Sequence, residues 1–338
     1  MAVPPAIKEL LNTLAARFGD YRQNLFEVSV RSARGKLIFS GRVLDESTRR
    51  ALETTLNENF PDLVYDDSAV RVLQQARPAA LTVATNLTGL YRDSHFESEM
   101  LSQLVYGTPL ELLDERDHWA FVRLPDGYLG WTYRPYLKLE SAPAATHIVT
   151  AAESILRSGP DAGAGPVTRV MGSTRVKVSS VRGEWAEVTA SRPGWMPLAD
   201  LIALEDLPRA AADRRAAVIA AAEKFVGVPY LWGGCSALGL DCSGLVHLVH
   251  SWVGLNIPRD ADLQFAAGRR IDAPFRPGDL IFFKEGNSPL PVTHAALCVG
   301  GWKIIHASQQ RNGVYYDDVQ AVDYLRTSVV GGCTFIEG

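Results

Sequence analysis

No apolar run in this 338-residue chain is long enough to cross a bilayer as a helix, which takes about 20 residues. Positive charge is not in excess either: 34 Lys and Arg stand against 38 Asp and Glu, a net charge of -4. That balance leaves no electrostatic footprint for nucleic acid or an anionic membrane surface, and neither is expected as a partner. The start, MAVPPAIKELLNTLAARFGD, lacks the basic opening and unbroken apolar core of a secretory signal and reads as an amphipathic helix. A cytoplasmic protein is therefore expected, although a trimmed export signal would leave the same trace. Cysteine is scarce: Cys235, Cys242, Cys298 and Cys333 form no CxxC pair, which excludes a disulfide scaffold. Cys298 and Cys333 lie in apolar, strand-like runs and read as small buried hydrophobes. No HExxH is present, and no metal or organic cofactor is implied. His247 and His250, three apart on a predicted helix, could ligate a metal, but no carboxylate stands at ligand spacing, so packing or surface is their expected fate.

What is present is patterned. Residues 1–77 read as a small α+β domain of two helices and three strands. KELLNTLAARF has helical spacing, LFEVSV and KLIFSGRV look like paired strands, residues 46–57 make a second helix and LVYDDSAVRVL a third strand. An internal repeat follows. GTPLELLDERDHWAFVRLPDGYLGWTYRPYL (107–137) matches GSTRVKVSSVRGEWAEVTASRPGWMPLADL (172–201): Gly, an alternating strand, a polar turn, a Trp-led strand, then Gly-Trp and a Leu six residues later. Strands this short with turns this dense suggest small β-barrels. The pattern resembles bacterial SH3-like (SH3b) domains, one at 78–140 and one at 145–206, with ESAPAAT (140–146) as a linker. From residue 207 the composition shifts to an alanine-rich helix ending at Gly227.

The chemistry lies beyond that helix. In LDCSGLVHLVH, Cys242 stands at the expected N-terminus of a helix over 244–253, with Asp241 and Ser243 as capping-type residues. Free amides and the helix dipole there favour a thiolate of lowered pKa and leave N–H groups to hold an oxyanion. The alternative is a buried cysteine near a cap. PVTHAALCVGGWKIIHASQQ reads as two strands joined at Gly300-Gly301. A tight turn centred near Gly300 would place His294 directly opposite His306, so that one imidazole acts as base while the other fixes its tautomer. A slip of one residue would put them on opposite faces.

The motifs YLWGG (230–234), DCSGL (241–245), PRDADLQ (258–264), RPGDLIFF (276–283), VTHAALCVGG (292–301) and IIHAS (304–308) together resemble the NlpC/p60 cysteine peptidase family. The resemblance implies a papain-like α+β catalytic domain over 207–338, preceded by the two SH3-like barrels and the N-terminal domain: an α+β multidomain protein. It makes Cys242 the nucleophile, His294 the general base and His306 the orienting residue, with Tyr230 near the oxyanion site. The order of domains is similar to that of peptidases that cut between γ-D-glutamate and the L-diamino acid of murein stem peptides and require a free N-terminal L-Ala. A free ammonium in a partly closed pocket needs acidic partners. By motif match Asp260 is one, and Glu99 and Tyr128 are the expected contributions from the first SH3b module, though either could be a plain surface residue. Asp241 and Ser243 could bind the D-glutamyl portion, or Asp241 could only cap the helix. Ala261 stands where much of the family has serine, which puts the holding of the amine in doubt. The expected activity is hydrolysis of the γ-D-glutamyl–diamino acid bond of free murein peptides in wall recycling. The alternative is a weakly active or acyl-transferring murein-peptide-binding protein. Lys-versus-diaminopimelate preference and oligomeric state are not legible.

Overall fold

The computed structural model describes residues 2–33, 35–76, 79–140 and 144–337. Residues 77–78, at the expected first boundary, and residues 141–143 of the ESAPAAT linker lie outside the described residues. The chain divides into two compact units, Met1–Ala80 with Leu110–Trp131, and Leu81–Pro109 with Thr132–Gly338. The strands of the first repeat are thereby shared between the two.

In the first unit, helices Pro5–Arg17 and Glu46–Asn59 pack on a sheet of Phe26–Ala33, Lys36–Val43 and Tyr65–Val72. The second helix starts where it does because Asp45, in extended conformation, accepts the Thr48 N–H at 2.8 Å. Its Leu52 and Leu56 join Ile7, Leu11 and Leu14 over Leu37, Phe39 and Val43 of the sheet, all buried. The middle strand pairs antiparallel with the first and parallel with the third, the second helix being the crossover. Two helices and three strands are what the sequence pattern indicates. Further along this unit, Arg116 faces Trp119 across a strand pair and lies 5.2 Å over the Trp131 ring.

In the second unit, a seven-stranded sheet over residues 147–203 encloses Val149, Leu156, Val170, Val188 and Met196. Here Arg182 faces Trp185 and lies 5.1 Å over Trp195. The two repeats therefore build the same Arg-on-Trp element from corresponding residues. Gly194 precedes Trp195 for a steric reason: a Cβ there would fall 2.7 Å from the Arg157 carbonyl oxygen. Leu137 pairs with Val83 and Leu201 with Val149, each after a single 3₁₀ turn.

The C-terminal part of the second unit is built on an antiparallel six-stranded sheet in the order Arg269–Ile271, Val329–Thr334, Leu280–Phe283, His294–Gly300, Lys303–Ser308, Gly313–Asp318. The helix Cys242–Ser251 packs on the His294 and His306 strands and against helix Ala211–Glu223. Leu245, Val246, Leu248 and Val249 meet Phe282, Ala295, Leu297 and Ile305 in one core. Each such aliphatic side chain contributes about 1.5–3 kcal/mol of burial, which fixes the helix against the strands that carry the histidines. The fold is α+β and multidomain, as its sequence pattern implies.

Candidate active site

Asp241 is the N-cap of the cysteine helix. Its Oδ1 accepts the Gly244 N–H at 2.6 Å, the Ser243 hydroxyl at 3.2 Å and an Arg259 N–H at 3.0 Å. Its Oδ2 accepts the Gly233 N–H at 2.9 Å and the other Arg259 terminal N–H at 2.6 Å. Arg259, 3% exposed, also donates to the Ser102 and Ser243 hydroxyls and to the Gly234 carbonyl. These bonds hold the YLWGG loop, the helix start and the PRDA segment together. Asp241 and Ser243 are thus heavily engaged by the protein itself, as the capping alternative for Asp241 requires. Arg259 escaped the sequence reading although it stands in PRDADLQ; a buried arginine needs a carboxylate partner, and Asp241 is the one it holds.

Cys242 is the first residue of the helix and is 8% exposed. The lowered thiol pKa expected from the helix terminus is not what this site produces. Burial, and then the Asp241 charge, push the thiol up to about 12, against opposing pulls from the Ala295 and Ser243 N–H groups and Arg259. The helix N-terminus is already occupied by the Asp241 carboxylate, so its field is largely spent before it reaches the sulfur. Burial, and then His306, hold His294 well below 6.5. Both shifts favour a thiol and a neutral imidazole at rest. Burial, and then the negative charges around it, push Tyr230 up, so its phenol stays protonated.

His294 and His306 meet, but not as expected. The strands pair Leu297 with Ile305 and Cys298 with Ile304, then a bulge follows and Gly300 pairs with Lys303. The turn is thus centred nearer Gly301, where φ is +60°, than Gly300. Extending this register puts His306 across from Ala296, two residues from His294. An even offset keeps both side chains on one face as diagonal neighbours. The rings close the gap: His294 Nε2 and His306 Nδ1 are 2.7 Å apart. That bond leaves Nδ1 as the His294 nitrogen for the thiol; the Ala295 N–H, which acts on the Cys242 sulfur, is the next residue along. His306, 1% exposed, uses its Nε2 on Asp317 Oδ2 at 2.9 Å. Asp317 lies in no motif that the sequence pattern marks. Counting back through the hairpin from Ser308 opposite Gly313 would have found it.

Glu99 and the second-unit part of the first repeat reach this loop directly. Trp232, 60% exposed, donates its indole N–H to Glu99 Oε1 at 3.0 Å. Gln103 Oε1 accepts the Cys235 N–H at 2.9 Å and the Ser236 hydroxyl at 2.8 Å. Asp260 is the N-cap residue of the short helix Ala261–Ala267, yet its side chain makes no capping bond. It is one of the charges acting on Arg259. Tyr128 belongs to the other unit, where it is 3% exposed and its N–H reaches Asp126 Oδ1 at 3.1 Å. His247 and His250 each point Nδ1 at a backbone carbonyl, of Ile257 and Val246, at 2.8 Å. Cys298 and Cys333 are fully buried.

Residues 227–331 match the NlpC/P60 family, and residues 90–132 match the bacterial dipeptidyl-peptidase SH3 domain. The gamma-D-glutamyl-L-lysine dipeptidyl-peptidase of Bacillus cereus is 36% identical over 121 residues, 36% of this chain and 35% of that protein. The protein of the same name from Bacillus subtilis is 42% identical over 84 residues, covering 25% of this chain and 28% of the relative. The chain thus matches about a third of the length of these relatives. Dipeptidyl-peptidase 6 of Lysinibacillus sphaericus is 28% identical over 252 residues, 69% of this chain and 89% of the relative. A crystal structure of an NlpC/P60 family protein from Bacillus cereus superposes with a TM-score of 0.65 at 21% identity, over 76% of this chain and all of that one. Residues 227–331 are an NlpC/P60 family domain, and the chain joins it to a bacterial dipeptidyl-peptidase SH3 domain at residues 90–132.

Proposed function

We propose that the protein is a cysteine peptidase that hydrolyses the γ-D-glutamyl–diamino acid bond of free murein stem peptides beginning with L-Ala, in the recycling of wall fragments in the cytoplasm. The observation that carries the reading is the His294–His306 pair at 2.7 Å on the two strands against which the Cys242 helix is packed. The Cys242 thiol passes its proton to His294 Nδ1 as the sulfur attacks the γ-carbonyl carbon. The Tyr230 phenol and backbone N–H groups near the sulfur are the donors on hand for the oxyanion. Collapse expels the diamino acid's α-amine, which takes the proton from His294 and leaves a thioester. Water, deprotonated by His294, then releases L-Ala-γ-D-Glu and restores the thiol.

The names of the relatives support the γ-glutamyl specificity, since two are called gamma-D-glutamyl-L-lysine dipeptidyl-peptidases. Glu99, held at the YLWGG loop by Trp232, supports a pocket for a free amine, with Asp260 as its further member in this proposal. The test is mass spectrometry of products from L-Ala-γ-D-Glu-diaminopimelate, its lysine counterpart and their N-acetylated forms, with Cys242→Ala as control. Release of L-Ala-γ-D-Glu from the free peptides alone, with Cys242→Ala inert, is the expected result. Equal cleavage of acetylated peptides would remove the amine pocket, and no cleavage of any would remove the peptidase.

A further inference from the structure

We propose that Asp317 is a positioning residue that sets the tautomers of both histidines and so makes His294 Nδ1 the basic atom. The proposal rests on the peptidase reading for its consequence, though not for its geometry. Three side chains lie on one diagonal across three neighbouring strands. At the level of residue 304 on the middle strand is Asp317, paired with Ile304; His306 follows two residues on. Two residues further, by extension of the Leu297–Ile305 register, is His294. All the offsets are even, so all three side chains share a face.

The proton order follows from the acceptor at the end. A carboxylate can only accept, so the 2.9 Å contact makes His306 Nε2 the donor. A neutral imidazole carries one N–H, so His306 Nδ1 must accept. The 2.7 Å contact then obliges His294 Nε2 to donate, and its Nδ1 is left with a bare lone pair. Asp317 is itself held from the other side: Arg311 donates to Oδ1 at 2.6 Å while its guanidinium lies over the Tyr315 ring at 4.4 Å. An imidazolium at His306 would donate from both nitrogens, reverse the 2.7 Å bond and protonate the wrong atom of His294.

The test is ¹H–¹⁵N correlation of the full chain labelled at histidine, with His294 and His306 assigned from single replacements. Both are expected as neutral rings with the proton on Nε2. A His294 proton on Nδ1, or a doubly protonated His306, overturns the proposal without any variant. In Asp317→Asn the side-chain amide can donate to His306 Nε2, which reverses both bonds. The His294 proton is then expected on Nδ1, with Cys242 alkylation by iodoacetamide at least thirtyfold slower and partly restored in Asp317→Glu. A smaller decrease, or a His294 tautomer unchanged in a folded variant, also overturns it. A wild-type chain with these tautomers that cleaves no γ-glutamyl peptide would sink the peptidase reading and leave the relay standing.

Discussion

Arg259 grips both carboxylate oxygens of Asp241, at 3.0 and 2.6 Å, in the interior beside Cys242. Removing one partner of such a pair strands the other as a buried, uncompensated charge, at a cost of about 3–5 kcal/mol. Arg259→Ala is therefore expected to lower the thermal midpoint by several degrees and to abolish turnover, because the start of the cysteine helix loses its anchor. Arg259→Lys should do nearly as badly, since an ammonium cannot span both oxygens while also reaching Ser102. A lysine variant with wild-type midpoint and activity would show the fork to be dispensable. Calorimetry and a peptide assay read both outcomes.

The thiol pushed up to about 12 and the imidazole held well below 6.5 predict an unusual reactivity profile. A thiolate–imidazolium pair would give an alkylation rate that is flat above mildly acid pH. Here the rate at Cys242, followed by peptide mapping, should keep climbing about tenfold per pH unit through the neutral and mildly alkaline range. A plateau beginning near pH 5 would show that the pair is ionised at rest. The acid limb of kcat/KM for peptide should fall below pH 6.5, because His294 remains an unprotonated base to lower pH than a free histidine.

His250 makes stability depend on pH in a definite direction. Burial is the chief cause that lowers it to about 4, and its Nε2 has no partner among the described residues. Below about 6.5 the unfolded chain binds a proton that the folded chain refuses until about 4. Stability is therefore full at neutral pH and is lost as the pH falls through that window, by up to about 3 kcal/mol from this residue. His294 adds to the same slope. His250→Phe, whose ring suits the edge-on contact with Phe335, should flatten the loss without harming neutral-pH stability. Denaturation midpoints at pH 7.5 and 5.0 for the two proteins measure it.

The Glu99–Trp232 bond predicts where selectivity is carried. If Glu99 takes the peptide's ammonium, Glu99→Gln should raise KM for L-Ala-γ-D-Glu-diaminopimelate by about 10–100-fold, the worth of one charge-assisted bond. The variant should leave kcat within a few-fold and barely change the N-acetylated peptide. Trp232→Phe, which removes one N–H donor to Glu99, should have a smaller effect of about fivefold. Equal losses on both peptides would mean that Glu99 only braces the loop.

How much of this was legible depended on sequence distance. Cys242, His294 and His306 could be picked out because each lies in a motif whose local pattern, a cap or a strand with its turn, states its position. The face shared by the two histidines followed from period-two alternation. Their exact pairing did not, because the turn lies between Gly300 and Lys303 and a one-residue bulge separates it from Cys298, so that the register at the histidines moves by two in all. Asp317 lay one hairpin further, and each unread turn adds its own uncertainty. The link between Glu99 and Trp232 joins residues 133 apart in sequence, and no pattern along the chain encodes it. Tyr128 marks another limit: its sequence neighbours say that it is in a turn, not what lies across from that turn.

Strung out as letters, the repeats and the peptidase domain look like beads that could be cut apart. The hydrogen bonds from Cys235 and Ser236 to Gln103, from Arg259 to Ser102, and from Trp252 to Ser173 say otherwise. Both ends of the cysteine helix are finished with groups borrowed from the segments upstream. A gene fragment beginning at residue 207 would therefore yield a chain with bare polar sockets at its centre, and grafting this peptidase onto a foreign binding module would have to bring residues 99–103 and 173 along with it.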